Sequence, residues 1–319
     1  MDIGSAEVQQ EADRSGHLKQ TSPTPIRVVI LILSAFREPW RSWQKDGQDQ
    51  TFLRDIPDGV IALRYSGLAR EKRPQFKTAI FLKRAQHALQ TMGWSGSLPG
   101  LSRILRYLSR LRFGDSTIAE IKNSASPCES VKGPSNLSTV DVIFTPVPSN
   151  PELIGLSTIE AFSYVLENYA FQYIFRTNSS SYVNLLKLLK LTESLPKTGV
   201  YAGFEGRILR ETAFASGAGY LLSRDIVEAI CLSPTLWRHG LIDDIALADF
   251  VSDSLKAQIG QIPLPRRTIA SLDDAKTLSR REIQDHFHYR CKTGSTLETV
   301  EIMQEIHFLE NRSIRDLHG

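Results

Sequence analysis

Between residues 27 and 33 the chain reads Arg-Val-Val-Ile-Leu-Ile-Leu, a near-continuous apolar run from Val28 that stops at Ser34. Such a run predicts a strand covered on both faces, as in a parallel sheet. Residues 59–65 and 140–146 predict two further strands, and 38–52, with Trp40 and Trp43, predicts a helix between the first pair. Over 171–176, Phe171, Tyr173 and Phe175 alternate with Gln172, Ile174 and Arg176 before the run breaks into Thr177-Asn-Ser-Ser-Ser181. A strand there carries short polar groups to its own C-terminal end. Leu185, Leu186, Leu188 and Leu189 follow at helical spacing, predicting a helix over 181–191 with Ser180 or Ser181 as its N-cap. Strand, polar turn and helix N-terminus would together hold an anion on free backbone N–H groups.

Further along, 157–167 predicts an amphipathic helix capped by Ser157, with Ile159, Phe162, Val165 and Leu166 buried. Residues 199–203 read as a short strand. Residues 214–225 read as a glycine-containing turn entering a helix near Ser223, the glycines allowing a ligand close to the backbone. A helix over 241–251 opens with Asp243 and Asp244, and the chain closes with an extended 286–292 and a helix over 295–309. The Ser-, Pro-, Gly- and Asn-rich residues 121–137 read as a long loop. Strands alternating with helices define an α/β protein: a Rossmann-like, mainly parallel mixed sheet flanked by helices.

Composition sharpens this picture. At 319 residues with 41% apolar content, the chain can bury a full core without covalent staples. Cys128, Cys231 and Cys291 lie far apart with no CxxC pair, which argues against a disulfide framework or a zinc site and fits a reducing compartment. No apolar run approaches the roughly 20 residues that span a bilayer, so a soluble, cytoplasmic protein is expected. The polar residues 1–24 are expected to be a disordered head, with one folded domain over 25–319.

Net charge is only +3, yet between Arg64 and Arg112 eleven Lys and Arg residues face the single acid Glu71. This basic stretch belongs to an insertion over about 66–138. Within it, 98–113 sets Leu101, Ile104, Leu105, Leu108 and Leu111 on one helical face, with Arg103, Arg106, Arg110 and Arg112 largely on the rest. A solvated surface helix and a peripheral contact with an anionic membrane both fit. With few interleaved aromatics and no binding module, nucleic acid is not an expected partner.

Three segments in register carry a family resemblance. Arg176-Thr-Asn-Ser-Ser-Ser-Tyr-Val-Asn184, then Ala215-Ser-Gly-Ala-Gly-Tyr-Leu-Leu-Ser223, then Asp243-Asp-Ile245 stand in the order and spacing of K-T-D-D-D-V-F-V-N, C-S-G-G-G-Y-V-L-S and E-D-V. Over about 157–252 the chain resembles the β-1,3-galactosyltransferase and Fringe group of GT-A glycosyltransferases. The resemblance implies a GT-A-like fold and transfer of a hexose from a nucleotide-sugar, by expectation a UDP-sugar, to a glycan or lipid-linked glycan. It also implies a divalent cation such as Mn2+, held by the aspartates of the first segment. Here Asn178 and Ser180 stand in their place, and neutral oxygens are much weaker ligands for a hard cation. Metal-independent binding is therefore expected.

Residue by residue, the resemblance implies Asp244 as the general base of an inverting transfer. Arg176, Asn178, Ser179, Ser180, Ser216, Gly217 and Asp243 would line the donor, and Ser34 and Trp40 would meet the nucleotide. Trp237 or His239 would face the acceptor. In an extended 286–292, His286, His288, Arg290 and Lys292 would alternate onto one side and meet the diphosphate. Each assignment has a plainer counterpart: Asn178 to Ser181 as turn and cap chemistry, Asp243 and Asp244 as first-turn acids at a helix dipole, the histidines as structural groups. A second function class is a non-catalytic sugar-nucleotide or glycan binder on the same scaffold.

Overall fold

The computed structural model describes residues 25–35, 37–68, 129–131, 140–148, 153–206, 214–239, 241–255 and 261–318. The head over 1–24 and most of the basic 66–138 segment, including the expected 98–113 helix, lie outside the described residues. Arg64, the first cation of the basic stretch, is not a surface charge. It is fully buried, and its guanidinium donates to Asp49 Oδ1 at 2.8 Å.

Eight strands form a mixed, mostly parallel sheet. In chain order they are β1 (Val28–Leu33), β2 (Val60–Leu68), β3 (Glu129–Val131), β4 (Asp141–Pro148), β5 (Tyr173–Asn178), β7 (Tyr201–Gly206), β8 (Phe214–Ser223) and β9 (Gln261–Pro263). Their spatial order is β3-β4-β2-β1-β5-β8-β7-β9, with β3 antiparallel to β4 and β8 antiparallel to both β5 and β7. A second sheet of three strands has the order β10 (Arg266–Ile269), β11 (His288–Cys291), β6 (Ser181–Val183).

β1 lies at the centre, as its uninterrupted apolar run requires, and Val28 through Ile32 are fully buried. Burial of such side chains stabilises by about 1.5–3 kcal/mol each. Val29 and Leu31 face one core with Ile159, Phe162 and Ile245, while Val28, Ile30 and Ile32 face a second with Phe175, Tyr289 and Met303. The first core is closed by α2 (Ile154–Asn168), α4 (Arg224–Leu232) and α5 (Asp243–Ser254). On the second side lie α3 (Leu185–Glu193) and the long α8 (Thr296–His318). A short α1 (Trp40–Ser42) runs on as a π-helix over Trp43–Gln48, and α6 (Leu272–Lys276) and α7 (Arg280–Asp285) precede β11.

Four expectations are corrected. The helix predicted to begin at Ser157 starts at Ile154, so Ser157 is a buried interior residue whose hydroxyl accepts from Thr145 at 3.3 Å. Residues 214–223 form a ten-residue strand rather than a turn. Ladder pairing on both edges holds this glycine-bearing segment extended, and Gly203 on β7 makes room for Ala215. Within the expected loop at 121–137, Glu129–Val131 pairs with β4. Finally, no helix begins at Ser180 or Ser181: Ser181, Tyr182 and Val183 form β6 against β11, and α3 starts only at Leu185. Asn184 is the true cap, its Oδ1 accepting from Lys187 N at 3.0 Å. Its amide also donates to the buried Glu310 of α8, which fixes that helix to the domain's second core.

Candidate functional site

The chain leaves β1 for β2 on one side and later returns to β5 on the other, so a crevice opens at the C-terminal ends of β1 and β5. Open α/β sheets bind ligands at such a switch point. Leu33 pairs with Asn178 there. Ser34 is buried beside them, its N–H donating to Tyr65 O at 2.9 Å and its hydroxyl turned back to Ile32 O at 3.3 Å. Trp40 stands at the start of α1, edge-on to Trp43, with the Arg37 guanidinium 5.1 Å from its ring centroid.

The polar turn at the end of β5 is held from within. Asn178 Oδ1 accepts from Ser180 N at 3.1 Å, from Ser180 Oγ at 3.0 Å and from Ser181 Oγ at 3.1 Å. Ser179 Oγ donates to Leu33 O at 3.1 Å and accepts from Gln44 at 3.0 Å. Gln48 clamps the turn by donating to the carbonyls of Asn178 and Ser181, both at 3.1 Å. A divalent cation would have to displace three donors from a neutral amide oxygen, and among the described residues no group of three or more His, Cys, Asp or Glu stands together. These residues do not fit a hard dication.

Across the turn, β8 meets the start of α5. Asp244 Oδ2 accepts from Gly217 N at 2.8 Å and its Oδ1 from Ile245 N at 3.0 Å. Burial and the neighbouring Asp243 charge push its carboxyl up to about 6, against the pull of the Gly217 N–H and of Arg176. Arg176 ties the cluster together: it donates to Asp243 at 2.8 Å, to Tyr65 Oη at 3.1 Å and to the Gly217 carbonyl. Burial opposes its charge, but Tyr65, Asp243 and Tyr220 outweigh that and leave its pKa above the ordinary value. Tyr220, fully buried, lies 5.5 Å under the same guanidinium.

The second sheet presents cations to this edge. Arg266 pairs with His288, and Thr268 with Arg290, in the parallel register of β10 and β11, which places all four on one face. Arg266 Nη1 donates to Ser216 Oγ at 2.9 Å, and its guanidinium stacks 4.0 Å above the Phe204 ring. His288 fills the space left by Gly219, where an added Cβ would overlap its ring. Burial, then Arg266 and Arg290, push the His288 imidazole down to about 3.

Of the four residues expected side by side over 286–292, only His288 and Arg290 share this face. His286 precedes the strand and turns its Nδ1 to within 2.9 Å of Glu282 O at the end of α7, while Lys292 is exposed beyond the strand. Trp237 is buried against Phe250 in the core, and His239 is buried with Nε2 3.3 Å from Pro234 O. Sequence reasoning missed Arg266 and Tyr65. The Arg266-Arg267 pair between two prolines and a β-branched run was the available signal for the first; nothing marked the second.

No protein-family model matches the sequence, and no curated protein matches it. Among solved structures the fold is similar to a glycosyltransferase involved in the glycosylation of the major capsid of PBCV-1, at 11% identity over 87% of this chain and 99% of that one, with a TM-score of 0.38. It is also similar to mouse xyloside xylosyltransferase 1 in its apo form, at 8% identity over 83% of this chain and 97% of that one, with a TM-score of 0.34. No helix among the described residues is long and apolar enough to cross a membrane.

Proposed function

We propose that the chain is an inverting glycosyltransferase that moves a hexose from a nucleoside-diphosphate sugar, with UDP the expected nucleotide, to a hydroxyl of a glycan or lipid-linked glycan. The observation that carries this reading is Asp244. Each of its oxygens accepts one backbone N–H, which leaves lone pairs on both to receive a proton. Its carboxyl, pushed up to about 6, is ionised at neutral pH yet basic enough to serve as a general base. In the reaction the acceptor oxygen bonds to the anomeric carbon as its proton passes to Asp244. The bond from that carbon to the diphosphate breaks, and the nucleoside diphosphate leaves with the electron pair. Gly217 touches this carboxylate, and with Ser216 and the Asn178 turn it makes our place for the donor sugar. The basic 66–138 segment, most of it outside the described residues, is the part we expect to meet an anionic membrane that carries a lipid-linked acceptor.

A second reading, a binder without chemistry, draws on Asn178, whose side-chain oxygen is engaged entirely within the turn. The deciding measurement is release of nucleoside diphosphate from a panel of nucleotide-sugars with glycan acceptors, in wild type and Asp244→Asn. Turnover lost in the variant, with donor still raising its melting temperature, supports the transferase. Equal turnover in both proteins removes Asp244 as base, and binding without turnover in either favours the binder.

A further inference from the structure

The face shared by β10 and β11 carries a charge problem that the fold leaves unsolved. Arg266 and Arg290 are both partly buried, and among the described residues no carboxylate forms an ion pair with either. Arg266 donates once, to Ser216 Oγ, and its Nε is buried without a partner. Burial first, then Arg290, hold the Arg266 guanidinium down to about 10, and burial also lowers that of Arg290 against the partial pull of the Asp244 charge. Between them stands His288, only 2% exposed, whose Nε2 has no hydrogen-bond partner. Buried cations and unsatisfied donors are costly unless an anion completes them. Two guanidinium forks and one hydroxyl match the oxygens of a diphosphate, since guanidinium pairs bidentately with phosphate.

We propose that Arg266 and Arg290, with Ser216 Oγ, form a binding site for the diphosphate of a nucleotide. Resting on the transferase reading, this assigns to two arginines the neutralisation of the departing diphosphate that the Asn178 turn is not built to provide through a metal. It includes Arg266 and Ser216 and omits His286, His288 and Lys292. Preorganised cations at the point where negative charge develops lower the barrier without any step of reorganisation.

Isothermal titration in EDTA tests it, with UDP, GDP, inorganic pyrophosphate, uridine and farnesyl diphosphate as probes. A nucleoside diphosphate is expected to bind more tightly than pyrophosphate or farnesyl diphosphate. Arg266→Ala and Arg290→Ala should each weaken it by about tenfold or more, the loss of a charge-assisted contact. Arg267→Ala removes the same charge from an arginine paired with Asp274 and Glu282, and should stay within about twofold. Arg266→Lys and Arg290→Gln keep the test open if an alanine variant does not fold. Unchanged affinity in the arginine variants, binding that appears only with Mn2+, or a preference for farnesyl diphosphate would each overturn the site. Arginine-dependent diphosphate binding with no sugar transfer from any donor supports the site and removes the transferase. Transfer with arginine-independent binding does the reverse.

Discussion

The backbone N–H of Gly217 donates to Asp244 Oδ2 at 2.8 Å, while the carbonyl of the same residue accepts from Arg176. One peptide segment of β8 thus fixes both the first turn of α5 and the cation at the end of β5. An added Cβ at Gly217 would lie 3.3 Å from both Arg176 Nη1 and Asp244 Oδ2, a tight fit that either neighbour would have to relieve by a few tenths of an ångström.

The pH dependence of turnover follows from that contact. A general base works ionised, and the Asp244 carboxyl is pushed up to about 6. The expected kcat/KM rises about tenfold per pH unit below 6 and levels off above it. Asp244→Asn should lower kcat by roughly 10²–10⁴ and abolish this limb while donor-induced thermal stabilisation persists. A rate independent of pH between 5 and 7 would remove Asp244 from the proton transfer.

The fold was readable where one physical signal dominated. The apolar run of β1 and the alternation in β5 could hardly be anything but buried strands, and Asp243-Asp244 opens α5 as the helix dipole favours. Legibility failed where pairing overrode local preference. Ser181 is a good cap by type, but Tyr182 and Val183 gain more by pairing with β11, and the cap moves to Asn184. In the site, Asp244 could be singled out by the register of the resemblance, and Arg290 by the alternation of an extended 286–292. The Arg266-Arg267 pair was visible, but it could not be placed in the site, because its position depends on a parallel pairing with His288 over twenty residues later.

Two buried ion pairs set the rigidity beneath the crevice. Arg64–Asp49 and Arg176–Asp243 both close at 2.8 Å, with side-chain exposures of 0%/4% and 3%/11%. Removing one partner leaves a buried charge, so Arg64→Ala should lose about 3–5 kcal/mol in urea unfolding. Arg64 also donates to Gln48, which clamps the Asn178 turn, and donor affinity should fall with it. A loss under 1 kcal/mol would show that the pair adds nothing to the fold.

Gly219→Ala tests how tightly the two sheets meet. The new methyl would overlap the His288 ring, and a fixed backbone on either side leaves the imidazole to move. We expect about 1–3 kcal/mol of destabilisation, together with weaker binding of nucleoside diphosphate. Gly199→Ala, at φ 69° with open space around it, is the comparison: it should cost stability without affecting the ligand.

His288 makes the sign of acid sensitivity predictable. Its imidazole titrates near 3 when folded and near 6.5 unfolded, because it is buried and faces Arg266 and Arg290. Below pH 6.5 the unfolded chain takes up a proton that the folded one refuses, so this residue's contribution to stability falls as pH drops from 6.5 toward 3. Asp244 acts oppositely: its raised folded pKa favours the native state as pH falls through 6 toward the unfolded value. Whole-protein curves therefore mix the two, and the difference between wild type and His288→Gln isolates the histidine. Between pH 7.5 and pH 5.0 that difference should shift by about 2 kcal/mol in favour of the variant, read by urea unfolding at each pH. A difference independent of pH would mean that the imidazole titrates in the folded protein as it does in the unfolded chain, and a shift in favour of wild type would mean that the fold holds it charged.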